Sequence, residues 1–99
     1  MPYGLSDKNL IQLKQLFARY NNIREVILYG SRAKGNYSEG SDIDLTISGD
    51  NLDFSVIQQI NTDIDQLNLP WLFDISDYTS INNKELINRI GITIYKKEE

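Results

Sequence analysis

The chain contains no cysteine and no histidine. Without cysteine there can be no disulfide and no thiolate metal site. Without histidine, the commonest general base and the commonest nitrogen ligand for metals are both missing. Any chemistry must therefore rest on carboxylates, hydroxyls, lysine, arginine or a hard metal ion. Proline occurs only twice, and no apolar run approaches the length of a membrane span. The opening MPYGLSDKNL lacks the basic-then-apolar pattern of a secretory signal, so a cytoplasmic location is expected. Basic residues are also the minority, with 10 Lys and Arg against 14 Asp and Glu and a net charge of −4. Nucleic-acid binders usually carry a basic face, and no long basic run is present. An extensive nucleic-acid surface is not expected, while local contacts stay open.

What is present suits one small core. The chain has 99 residues, 40% of them hydrophobic, and 1–99 is read as a single domain. Ser6 can cap a first helix over about residues 7–21, with Leu10, Leu13, Phe17 and Tyr20 on one face. Residues 23–30, IREVILYG, read as a strand ending at Gly30 and buried on both faces. A short irregular or helical piece follows over 31–37, then the turn-forming NYSEGS. Residues 42–48, DIDLTIS, alternate strictly, with Ile43, Leu45 and Ile47 on one face and Asp42, Asp44, Thr46 and Ser48 on the other.

Asp53 can cap a second long helix reaching about Asn68, striped by Ile57, Ile60, Ile64 and Leu67. A third strand over 71–76, WLFDIS, is read as a core strand. A last helix over 83–90 stops at Gly91, placed where a left-handed cap is usual, and ITIYKK closes as a strand. The pattern predicts an α/β (α+β) domain with a small mixed β-sheet of about four strands and helices packed on it.

Asp42 and Asp44 share a strand face, so their Cα atoms stand about 6.6 Å apart. Two bare carboxylates this close repel, and one takes up a proton unless something positive lies between them. A divalent cation such as Mg²⁺, which prefers oxygen ligands, resolves the conflict. A lone D-x-D is weak, since the chain holds nine aspartates. Asp63 and Asp65 make the same pattern in a helix, where residues two apart do not face each other. Upstream, Gly30-Ser31 ends a strand and opens a helical piece, a geometry whose backbone N–H groups can cradle phosphate. Arg32 and Lys34 in the same loop are candidates to neutralise a polyphosphate. Asp74 is an ionised group among Leu72, Phe73 and Ile75, costly there unless paired or metal-bound. It is the candidate third carboxylate. Asp77 competes for that place and is read as a loop residue on the opposite face.

Gly30-Ser31, ten residues, then Asp42-x-Asp44 resembles the signature of the DNA polymerase β-like nucleotidyltransferase superfamily. The text GSRAKG…SDIDL is similar to the minimal nucleotidyltransferase (MNT) group, which includes the MntA-type antitoxins paired with HEPN-domain toxins. The resemblance covers most of the chain. It implies that Gly30 and Ser31 contact a nucleoside triphosphate, with ATP as the nucleotide substrate. It implies that Asp42, Asp44 and Asp74 hold Mg²⁺, two ions being the family pattern, and carry the transfer of AMP. The implied acceptor is a tyrosine hydroxyl on a partner HEPN toxin. A non-catalytic antitoxin acting by contact, and nucleotidyl transfer to a small molecule, are the competing expectations. The sequence leaves a homo-oligomer open.

Overall fold

The computed structural model describes residues 2–98. Its helices are α1 (Asp7–Ala18), α2 (Ser31–Lys34), α3 (Phe54–Asp65) and α4 (Lys84–Ile90). Its strands are β1 (Ile23–Tyr29), β2 (Ile43–Gly49), β3 (Phe73–Asp77) and β4 (Ile92–Lys96), with short 3-10 turns at Pro2–Gly4 and Tyr78–Ser80. The strands form one mixed sheet in the order β3-β2-β1-β4. β1 runs antiparallel to both β2 and β4, while β2 and β3 are parallel. A parallel pair needs a long crossover, and α3 supplies it.

The caps read from the sequence form. The Ser6 hydroxyl accepts from the Asn9 N–H, and the Asp53 carboxylate accepts from the Val56 N–H. Each satisfies an orphan donor of its helix and contributes about 1 kcal/mol.

Strand alternation sorts the sheet into two faces. Val26, Leu28, Ile43, Leu45 and Ile47 are fully buried on one face. Leu13, Leu16 and Phe17 of α1 and Ile60 and Ile64 of α3 join the same core. Each such side chain contributes about 1.5–3 kcal/mol by leaving water. On the opposite face, Ile27 lies across from Thr46, and Tyr29 across from Asp44. α4 reaches this second face. Its Ile87 is buried, and a Cβ on Gly91 would stand 2.6 Å from Ile27 Cγ2.

Two expectations change here. Gly91 ends α4 with φ −66° and ψ 147°, in extended rather than left-handed backbone. Close approach to the Ile87 carbonyl and then to Ile27, and not a left-handed cap, is what excludes a side chain. The strand expected over 71–76 as a core strand is instead an edge strand, starting at Phe73. Leu72 just before it is 76% exposed. Apolar flanking residues read as burial in the sequence, but an edge strand has a neighbour on one side only.

Beyond the end of α1, the Tyr20 hydroxyl donates to the Asp63 carboxylate on α3. Burial first, and then this bond, push the Tyr20 phenol up to about 12, while the bond holds Asp63 below its usual range. A lowered carboxyl stabilises the fold above its ordinary value and stops doing so as pH falls through the folded value. Tyr20→Phe should therefore destabilise the protein by about 1–2 kcal/mol at neutral pH. In chemical denaturation at stepped pH, that difference should shrink below about pH 3.8.

Candidate active site

Three segments meet at one end of the sheet: the β1–α2 turn, the start of β2 and the start of β3. The turn is forced open by Gly30, which caps α2 with φ +77° and ψ −155°. L-residues rarely adopt that backbone. A Cβ there would also run into Oδ2 of Asp44. Gly30 thus lets the turn and the Asp44 carboxylate occupy adjoining space. After it, Lys34 N–H bonds back to Gly30 O. The N–H groups of Ser31, Arg32 and Ala33 precede the first intrahelical bond and so have no partner within the helix.

The β2–β3 register sets Asp44 beside Asp74, with Ile43 beside Phe73 and Leu45 beside Ile75. Adjacent strands lie about 4.8 Å apart, so both carboxylates rise from one face at that spacing. Asp42, one residue before β2, is exposed, as is Asp74, while Asp44 is half-buried. Burial pushes the Asp44 carboxyl above its usual range, and repulsion from Asp74 and then Asp42 pushes it the same way. Asp42 and Asp74 are thus both near enough to act on Asp44. Among the described residues, no three acidic side chains yet stand at the spacing that would hold a single ion. The donors are hard oxygens on rotatable side chains, gathered at one sheet end and repelling one another. That set suits a hard divalent cation.

The remaining candidates separate. Lys34 is exposed beside the turn. Arg32 is not the polyphosphate neutraliser that the sequence suggested. Its side chain is only 2% exposed and turns inward. Its guanidinium donates to the carbonyls of Tyr3, Glu39 and Ser41. Asp77 ends β3 rather than lying in a loop, and its carboxylate accepts from the Thr79 N–H. It pairs with Ile47 on the core-facing register, away from Asp74, which removes it as the third acid.

Sequence reasoning passed over three aromatic residues here. Tyr29 is the cross-strand partner of Asp44, a placement that its position before Gly30 could have suggested. Tyr37 and Trp71 stack on the Arg32 guanidinium at 4.8 and 5.5 Å. No local pattern signals that contact, because 34 residues separate Tyr37 from Trp71.

A glycine-opened turn into a helix, beside neighbouring carboxylates on a mixed sheet, suits a nucleotidyltransferase-type site. The description "Polymerase beta, Nucleotidyltransferase" fits residues 11–99, and the chain belongs to that family. It is 34% identical over 90 residues to the "Probable protein adenylyltransferase MntA" of Haemophilus influenzae, spanning 88% of this chain and 75% of that one. A solved toxin–antitoxin complex with AMP-PNP superposes with a TM-score of 0.73 at 17% identity, covering 91% of this chain and 75% of that chain. A tri-AMPylated Shewanella oneidensis HEPN toxin in complex with MNT antitoxin gives 0.68 at 15% identity, covering 94% and 74%. At those identities the two structures speak for the fold.

The raised Asp44 carboxyl has a thermodynamic consequence. A folded value above the ordinary one means that the folded state holds the proton more tightly than the unfolded state. Stability then rises as pH falls from neutral toward 3.8, and ionised Asp44 opposes folding at neutral pH. Asp44→Asn should raise the metal-free melting temperature by a few degrees at pH 7. The gain over wild type should vanish near pH 4, read by differential scanning calorimetry across that range.

Proposed function

We propose that this protein is a metal-dependent adenylyltransferase that moves AMP from ATP to a hydroxyl, the acceptor being a tyrosine of a partner HEPN-type toxin. The observation that carries the reading is the parallel register that brings Asp44 beside Asp74, next to a turn only glycine can make. The family membership and the relationship to an MntA adenylyltransferase support the same activity. The structural neighbours that pair an MNT antitoxin with its HEPN toxin support the same kind of partner.

Asp42, Asp44 and Asp74 would hold Mg²⁺. Bound there, it would supply charge neutralisation at the phosphates and a more acidic acceptor hydroxyl. The chain's own groups do the rest. The N–H groups of Ser31, Arg32 and Ala33, with the Ser31 hydroxyl, hold phosphate oxygens by hydrogen bonds. Lys34 adds positive charge nearby, the role the sequence suggested for it and Arg32 together. Exposed Asp74, at the sheet edge, can accept the proton of the attacking hydroxyl. The acceptor oxygen bonds to the α-phosphorus as the bond to the leaving pyrophosphate breaks. Most of the rate comes from positioning and fixed charge, which needs no histidine.

A contact-only antitoxin is the second reading, and the open spacing of the carboxylates favours it. Both are tested with a HEPN-type toxin as the candidate acceptor. Incubation with ATP and Mg²⁺ should add AMP to a toxin tyrosine by intact mass. Asp42→Asn with Asp44→Asn should cut the rate at least about 10²-fold while the protein stays folded. Asp74→Ala should behave likewise, and Asp77→Ala should keep most of the activity. A double variant that still transfers AMP overturns the enzyme, and one that transfers none yet neutralises fully supports the contact reading.

A further inference from the structure

The least expected side chain in the molecule is Arg32. A buried, unpaired guanidinium is costly, so its surroundings must compensate. Among the described residues they do so without any carboxylate. Nε and Nη2 donate to Ser41 O at 3.2 and 2.9 Å, Nη2 also reaches Glu39 O at 3.1 Å, and Nη1 donates to Tyr3 O at 2.9 Å. The rings of Tyr37 and Trp71 cover it at 4.8 and 5.5 Å. A planar fork with five donors can bridge several carbonyls at once, which an ammonium cannot.

These contacts join segments far apart in sequence. Tyr3 belongs to the N-terminal 3-10 turn, Trp71 leads into β3, and Tyr37, Glu39 and Ser41 belong to the loop entering β2. Ser41 takes two of the bonds, and the next residue is Asp42. The loop has little else to hold it. Ser38 and Ser41 bond to each other, and Ile43 N–H bonds to Leu72 O. Arg32 itself sits in the first turn of α2, two residues beyond Gly30.

We infer that Arg32 is a positioning residue for the metal site: it ties the 37–41 loop to the phosphate turn and thereby sets where Asp42 stands relative to Asp44. This inference rests on the adenylyltransferase reading for its metal, but the tether itself does not. Asp42 is the only one of the three acids outside a strand, so its position depends on the loop. Asp44 and Asp74 are held by sheet hydrogen bonds and need no such brace.

The test is a Mn²⁺ titration by calorimetry, with amide hydrogen exchange, on wild type, Arg32→Lys, Asp42→Asn and the double variant. Circular dichroism confirms that each is folded. Arg32→Lys keeps the charge and loses the fork, and should weaken Mn²⁺ binding about tenfold, as loss of a supporting group does. In the Asp42→Asn background the same change should cost less than about twofold, because residues acting through one another are not additive. A general loss of stability would weaken binding equally in both backgrounds. Exchange of the Ser38 and Ser41 amides should quicken in Arg32→Lys while the β1 amides hold. Equal losses in the two backgrounds, or unchanged affinity, overturn the inference. If wild type takes up no Mn²⁺, the metal reading falls, and unchanged loop exchange would then overturn the tether as well.

Discussion

The parallel pairing of β2 with β3 sets the Asp44 and Asp74 carboxylates side by side, and much of the molecule serves to hold that pairing. The two groups repel. What keeps the strands together is the other face of the same residues' neighbours. Ile43 and Leu45 alternate with Asp44 and lie fully buried against α1 and α3. A slip of β2 by one residue would bury Asp44 and expose Ile43 and Leu45. The register that secures the core is therefore the register that builds the site. Asp44, the half-buried member, is opposed first by burial and then by both neighbouring carboxylates, while Asp42 and Asp74 stand exposed.

The same division appears along the chain. α1 and α3 cover one face and provide most of the burial. The carboxylates rise from the other face, where cover is partial and comes from α4 and the turn at Tyr78–Ser80. A site that must admit nucleotide and acceptor cannot be sealed by helices. Its precision has to come from strands and from local braces. Gly30 and Arg32 are two such braces of opposite kinds. One removes a side chain so that backbone and carboxylate can adjoin, and the other fills the interior with a large cation satisfied by carbonyls.

Family membership gives these features a chemistry, and the absence of histidine and cysteine is consistent with it. Nucleotidyl transfer depends on placed charge more than on a covalent nucleophile. In the proposed reading, neighbouring carboxylates, a glycine-opened turn and a nearby lysine are enough components for it.

Much of this was legible in the sequence wherever the signal was local. The strict alternation of DIDLTIS determined which residues of β2 face the core and which side Asp44 takes. Ser6 and Asp53 marked two helix starts, because a cap needs only its own next turn. Gly30-Ser31 and Asp42-x-Asp44 carried the resemblance to the nucleotidyltransferase family by residue type and spacing. Tertiary structure alone decided that β3 is an edge strand, that Asp77 turns away to cap a turn, and that Gly91 avoids Ile27. It alone turned Arg32 inward, onto carbonyls and rings contributed by distant segments. Those outcomes depend on which elements become neighbours, and neighbours are chosen by the burial and pairing of the whole chain. A loop arginine carries no local mark of whether water or three carbonyls will receive its protons.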